Sequence, residues 1–374
     1  MIAGGGVMGC ALAYQLARRG RQVVLLERET LGSQSTARCA GGIRQQFSSE
    51  TNVRLQQLAV RMLLDFETEV GAPSGFRQIG YLFVLSKPEL LLEFRANLEL
   101  WGRCGLDEAR WVEPAEIGEL APILSLEGIL GGTFCPTDGL AGPADVTTGY
   151  AGAARRAGAG LREGVEVTGL EVAGGRLRSV RTSAGEIATE LFFDCAGPWS
   201  EAVGRLAGIE VPVKPYRRHV IVSDSFPAVR RDHPFVVDFA TSFYFHPEGD
   251  GVLFGMSDRE EPSSFETDVD WGFLEKIVEE ASRRAPALQS AGLRTAWAGL
   301  YETTPDHQAI LGAAEGLEGF WCACGFSGHG FMQAPAAGLV VAQMACGETP
   351  SVDVSAFAHS RFGRRRLVRE RNVI

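Results

Sequence analysis

Gly4, Gly6 and Gly9 stand in the spacing G-x-G-x-x-G at the start of the chain, and no other stretch constrains the fold as strongly. Behind them a helix-like segment runs from Cys10 to Arg19, with Gly20 as its stop. An apolar run from Gln22 to Leu26 follows and ends in Glu27. Each part has a mechanical reason. Gly4 permits a tight strand-to-helix turn, Gly6 leaves room for a pyrophosphate, and Gly9 lets the helix lie close on the sheet. The helix start, Val7 and Met8 included, offers free N–H groups and a positive dipole end to phosphate oxygens. Glu27, at the tip of the second strand, is placed to accept hydrogen bonds from ribose hydroxyls, with Arg28 beside it. The pattern predicts a dinucleotide site on a Rossmann-type unit. Only Met1, Ile2 and Ala3 precede the glycines, whereas such a first strand needs about five residues, so a start upstream of Met1 is expected.

The chain of 374 residues is long enough for two domains. Its net charge of −10 argues against nucleic acid as a partner. Eight cysteines are scattered without a C-x-x-C pair, which fits reduced thiols in a cytoplasmic protein better than a disulfide framework or a metal site. No apolar run reaches membrane-spanning length.

Periodicity and glycine or proline punctuation give the order of elements. Residues 28–50 form a small-residue stretch in which Ser35, Thr36 and Arg38 suit a phosphate-side contact and Cys39 to Gly42 leave room for something flat. Helices are expected at 53–70 and 88–104, with a strand at 80–86 between them. A further helix starts near Pro143. Three or four strands follow, ending at Ala196-Gly197, and then strand after strand from Val211 to Asp258. A helix from Asp270 to Arg284 and a strand from Leu293 come next. Last is a buried strand, Phe320 to Cys324, that enters a Gly-Phe-Ser-Gly-His-Gly turn and a helix from about Phe331 to Ala345. The tail carries six arginines from Arg361 to Arg371, read either as a solvated face or as a site for an acidic partner.

The N-terminal fingerprint and the strings STARCAGGIRQQF, DCAGPWS, RTAWAGLYETTPD and GFSGHGFMQAPAAG, in this order, make the chain resemble the FAD-dependent D-amino-acid-oxidase-like superfamily. It looks closest to the branch of sarcosine oxidase β subunits and dye-linked proline dehydrogenases. A protein implicated in respiratory-complex assembly belongs to the same branch. The resemblance implies an α/β architecture: a Rossmann-type FAD-binding domain (1–71, 141–208 and 299–374) interleaved with an α+β substrate domain on an antiparallel sheet (72–140 and 209–298).

It also implies roles. Glu27 matches the ribose-binding acid, and Ser35, Thr36 and Arg38 the segment along the pyrophosphate and ribityl chain. Val167 matches the residue whose backbone meets adenine, and Ala196 and Gly197 the strand end under the cofactor. Gly328, Gly330 and Phe331, with Met332, match the helix start near the flavin. Arg44 matches an arginine that holds a substrate carboxylate, Tyr244 and Tyr301 match tyrosines that face the substrate, and His329 lies near the flavin. The implied reaction is hydride transfer from a carbon bearing an amine to flavin N5, with an imine as product. Departures qualify this. Gly299 stands where some relatives carry a flavin-linked cysteine, and no histidine occupies the Cys39 segment where others attach flavin, so non-covalent FAD is expected. Met332 replaces a carboxylate-binding lysine and Ser257 a histidine. Where the oxidases that the chain resembles carry a lysine by the flavin, the strand GDGVLFG places the apolar Leu253. No lysine lies between Lys214 and Lys276, so no shift of register supplies one, and His246 is left as the cationic candidate there. The expectation is a dehydrogenase passing electrons to a quinone, an electron-transfer flavoprotein or a dye in preference to oxygen, with hetero-oligomer subunits allowed. The competing reading is a flavin-stabilised assembly protein that binds a partner and turns over little.

Overall fold

The computed structural model describes residues 1–363 and 367–374. The glycine fingerprint produces the element expected of it. The Val7–Ala17 helix starts three residues earlier than the apolar pattern suggests, because extended Gly6 serves as its N-cap. All its residues are buried, as a helix apolar on every side requires. The Gly330–Ala345 helix packs against one flank, so closely that a Cβ at Gly338 would lie 3.0 Å from Ala11. On the other flank the Pro143–Arg156 helix brings Tyr150 to 5.7 Å from Tyr14.

These helices cover a six-stranded sheet in the order Ile310–Ala313, Phe320–Cys324, Phe192–Asp194, Ile2–Ala3, Val24–Leu26, Gly160–Arg162. It is parallel apart from its first pair. The central strand is two residues long, and Ile2 pairs with Phe193 on one side and Leu25 on the other. Beside this sheet the chain makes two hairpins, Val167–Ala173, Arg176–Thr182 and Gly185–Ala188, with turns at Gly174-Gly175 and Ala184-Gly185 as the glycines predict.

The second large sheet has eight strands, ordered Leu293–Thr303, Lys214–Ser223, Gly251–Met256, Phe243–Glu248, Phe235–Asp238, Tyr81–Leu85, Gly131–Cys135, Arg110–Val112. It is antiparallel except where Phe235–Asp238 runs parallel to Tyr81–Leu85. On one face the Trp271–Arg284 helix, capped by the Asp270 carboxylate on the amides of Gly272 and Phe273, shares a core with Ile221, Phe243 and Phe245. The other face turns toward the dinucleotide fingerprint. A two-stranded link, Gly42–Ile43 against Gly139–Leu140, ties the small-residue stretch to this sheet.

The arginine tail is not one solvated face. Arg361 is buried and binds Asp306 through Nε (2.8 Å) and Nη2 (3.0 Å). Arg369 meets His307 and Arg371 meets Glu93. These three arginines thus have three separate partners and share no one face. Arg364, Arg365 and Arg366 lie outside the described residues.

Candidate active site

A cavity of about 430 Å³ runs from the glycine fingerprint to the inner face of the eight-stranded sheet, within the range of cofactor and substrate pockets. At its first end the turn geometry does the work. Gly4 has φ +105°, and a Cβ at Gly9 would sit 1.9 Å from the Gly4 carbonyl oxygen, so the helix start can lie against the strand end only with glycine at both positions. The Val7 amide donates to Thr36 Oγ1 at 3.1 Å. The next amides of the first turn have no intrahelical acceptor and are free for an anion. Glu27 Oε2 accepts from the Gly5 amide (2.7 Å) and its Oε1 from the Glu29 amide (2.9 Å), which fixes the carboxylate at the cavity wall. Arg28 lies 4.1 Å over the Trp199 ring, and Val165, Glu166 and Val167 complete this end.

The middle is walled by Ser35, Thr36, Arg38, Ala196, Gly197, Gly299, Gly328, Gly330, Phe331 and Met332. Ser35 Oγ donates to the Leu300 carbonyl at 2.8 Å, and Trp297 Nε1 donates to that of Arg38 at 3.0 Å. These two bonds hold the small-residue stretch along the Leu293–Thr303 strand. A Cβ at Gly328 would meet the Tyr301 ring at 2.5 Å. Asp194, under the strand end, gives Oδ1 to the Ala196 amide and Ser200 Oγ, while its buried Oδ2 has no partner, and burial raises its pKa to about 7.

At the far end sits Arg44, only 1% exposed. Its Nη1 donates to the Gln46 carbonyl (2.7 Å) and its Nη2 to that of Asn372 (2.9 Å), while Nε is buried without a partner. The guanidinium lies 4.3 Å from the Phe47 ring centre. No carboxylate lies within 4.0 Å of it among the described residues. The 45–46 segment is anchored by Asp138, which takes bonds from the Gln45 amide and from both glutamine side chains. Burial raises the Asp138 pKa to about 6. Facing Arg44 are Tyr81, Phe235, Tyr244 and Tyr301. Phe235 stacks on Tyr81 at 4.3 Å and on Tyr244 at 5.6 Å. Burial raises the pKa of Tyr244 and Tyr301, which stay neutral. Burial first and the Arg44 charge second push His329 well below its ordinary value, so it too is neutral, edge-on to Phe47 at 4.8 Å.

Every residue expected to hold the cofactor or the substrate lines this cavity except Gly9, whose role is the helix contact. Two expectations are corrected. Leu253 and His246 pair with each other across neighbouring strands and stay outside the cavity wall. Burial lowers the His246 pKa to about 4, so it carries no charge. The cation that this sheet brings to the cavity wall is instead Arg218, on the Lys214–Ser223 strand opposite Gly299. Ser257 also lies outside the wall. Sequence reasoning missed Arg218, Tyr81, Phe235, Glu302 and Ile374. Glu302 accepts from the Gly325 amide at 3.0 Å, and burial raises its pKa to about 7. Its place next to Tyr301 in a strand predicts the opposite face, but the cavity wraps the strand end and takes in both. The fixed Glu27 carboxylate, the free first-turn amides and the side-chain-free cradle together fit an FAD-type dinucleotide.

The family described as DAO, FAD dependent oxidoreductase, matches residues 1–344. Human mitochondrial sarcosine dehydrogenase is 32% identical over all of this chain and 43% of its own length. Rat mitochondrial dimethylglycine dehydrogenase is 29% identical over 97% of this chain and 45% of its own. The chain thus spans less than half the length of these two relatives. The crystal structure of L-proline dehydrogenase from P. horikoshii superposes with a TM-score of 0.92 at 32% identity, covering 98% of each chain.

Proposed function

This chain belongs to the DAO family of FAD-dependent oxidoreductases, and from that premise we propose that it oxidises the C–N bond of a small amino acid or N-alkyl amino acid to an imine. One observation carries the proposal: Arg44 is buried in the cavity wall with an unpartnered Nε and no carboxylate beside it among the described residues. A buried guanidinium is stable when paired, so the site is completed by a carboxylate from outside the chain. FAD held along the cavity supplies the hydride acceptor.

The chain's own groups do the positioning. Arg44 holds the substrate carboxylate, and Tyr244 and Tyr301 close on the rest of the molecule. Neutral His329 donates or accepts a hydrogen bond and carries no proton between groups. Tyr244, Tyr301 and His329 are all neutral, so the amine reacts from its neutral form. The division into 1–71, 141–208 and 299–374 against 72–140 and 209–298 is the domain scheme we adopt. It is supported by the two large sheets, which draw on separate stretches of chain, though the Leu293–Thr303 strand runs through position 298.

The acceptor we propose is a quinone, an electron-transfer flavoprotein or a dye in preference to oxygen. The absence of a cation no longer supports this, since Arg218 is there; the dehydrogenase names of the relatives do. Partner subunits fit the same reading. The cytoplasm is proposed from eight unpaired cysteines, although the mammalian relatives named above are mitochondrial. Among the described residues no helix is long and apolar enough to cross a membrane. The test is anaerobic titration of the FAD-loaded protein with N-methyl amino acids, proline and D-amino acids. Bleaching of the flavin band is expected, and air should restore it more slowly than a dye. A flavin bleached by none of them favours the assembly-protein reading, which the buried Arg361 has deprived of part of its basic surface.

A further inference from the structure

Arg218 is the second guanidinium at the substrate end, and among the described residues it makes no ion pair. Its Nη1 donates to the Arg217 carbonyl at 2.7 Å, and its planar group lies 5.1 Å from the Tyr301 ring centre. Its Nε is buried without a partner. No carboxylate lies within 4.0 Å of it among the described residues. The acids nearby are engaged elsewhere. Glu261 is held by Arg217 Nε at 3.0 Å on the opposite face of the strand, and Asp258 Oδ1 accepts from the Glu260 amide at 2.8 Å. Opposite Arg218, Gly299 has no side chain to block it, and the next inward residue, Val220, also lines the cavity.

Arg44 and Arg218 therefore face one space from different walls, and the charge of each reaches Tyr301 between them. A mono-carboxylate substrate satisfies one of them. The other would then stay charged in the cavity wall with its buried Nε unbonded, an arrangement that costs stability unless an anion arrives. We propose that the substrate is an amino acid bearing a second carboxylate, with Arg44 holding one acid group and Arg218 the other, so that Arg218 sets specificity. This rests on the reading of the cavity as an amino-acid site.

The test is calorimetric binding of two unreactive probes, glutarate and butyrate, to the FAD-loaded protein. Glutarate is expected to bind about tenfold or more tightly than butyrate, the scale of one charge-assisted contact. Arg218→Gln should erase that difference and leave butyrate affinity unchanged, and Arg218→Lys should keep part of it. Equal affinities in the unaltered protein, which needs no variant, overturn the proposal. So does an Arg218→Gln protein that weakens both probes alike, since both arginines would then share one carboxylate. A shifted flavin spectrum with the glutarate preference intact would assign Arg218 to the cofactor and overturn it too. The amine titration above is independent of these outcomes. A glutarate preference without bleaching keeps this inference and sinks the oxidation reading, and bleaching without the preference does the reverse.

Discussion

Arg44 and Asn372, 328 residues apart in sequence, are joined by a 2.9 Å hydrogen bond from the Arg44 Nη2 to the Asn372 carbonyl. The group proposed to receive the substrate is thus also a clasp on the last residues of the chain. Those residues are fixed in turn by Glu370, whose carboxylate accepts from Ser48, Ser49 and Asn52.

Arg44→Ala should therefore act twice. It should raise the KM for a carboxylate substrate by about tenfold to a hundredfold, the value of a charge-assisted contact. It should also lower stability by roughly 1–3 kcal/mol, since the Asn372 carbonyl loses its donor. FAD should stay bound, and Arg44→Lys should restore only part of the KM because the two-pronged fork is lost. Steady-state kinetics and thermal melts of both variants check this, and an unchanged KM would leave Arg44 with the clasp alone.

The flavin should be released by acid precipitation. Gly299 offers no linking atom, and burial pushes up both thiols in the cavity wall, Cys39 to about 12 and Cys195 well above its ordinary value, so little of either is nucleophilic thiolate at neutral pH. Yellow colour is expected in the supernatant. Colour that stays in the pellet means a covalent link.

Gly9→Ala should abolish flavin retention, because its Cβ would overlap the Gly4 carbonyl oxygen at 1.9 Å and backbone cannot yield there. Gly6→Ala meets only Thr36 Oγ1 within the protein, at 3.2 Å, a side-chain atom that can shift, so the fold should survive and the loss of flavin, from crowding at the pyrophosphate alone, should be smaller. The ratio of flavin to protein absorbance in the two purified variants reports the order, and a reversed order refutes the packing argument.

Asp194 makes stability depend on pH. Burial raises its pKa from the usual 3.8 to about 7, so between those values the folded state holds a proton that the unfolded chain has lost. Its contribution is fully present below pH 3.8 and is lost as pH rises through about 7. Asp194→Asn, which keeps a neutral polar group at the site, should flatten that part of the curve. Denaturant melts of both proteins from pH 5 to pH 8 test it; parallel curves would mean that Asp194 does not titrate there.

Most of the fold was legible because its signals are local. The fingerprint glycines, the stop at Gly71, the prolines opening helices at Pro88 and Pro143 and the glycine turns between strands each act within a few residues. The cofactor end of the site was legible for the same reason. The substrate end was less so, because it is made by lateral strand pairing that no local pattern records. Counting cations along the strand of Leu253 could not find Arg218, which reaches the cavity from the neighbouring strand. Asp138 escaped notice because its role is to hold Gln45 and Gln46, 93 and 92 residues away.

The long pairing of Lys214–Ser223 with Leu293–Thr303 sets Arg218 against Gly299 and Val220 against Trp297. Gly299, Tyr301, Arg218 and Val220 all belong to one side of this ribbon and to the cavity wall. Because strand side chains alternate, a slip of one residue would turn Arg218 outward and bring Arg217 in beside the tyrosine. The guanidinium at the wall is therefore one tooth in a zip of backbone bonds: an inserted or deleted residue in either strand would exchange it for its neighbour, whereas a substitution leaves the zip closed as it is.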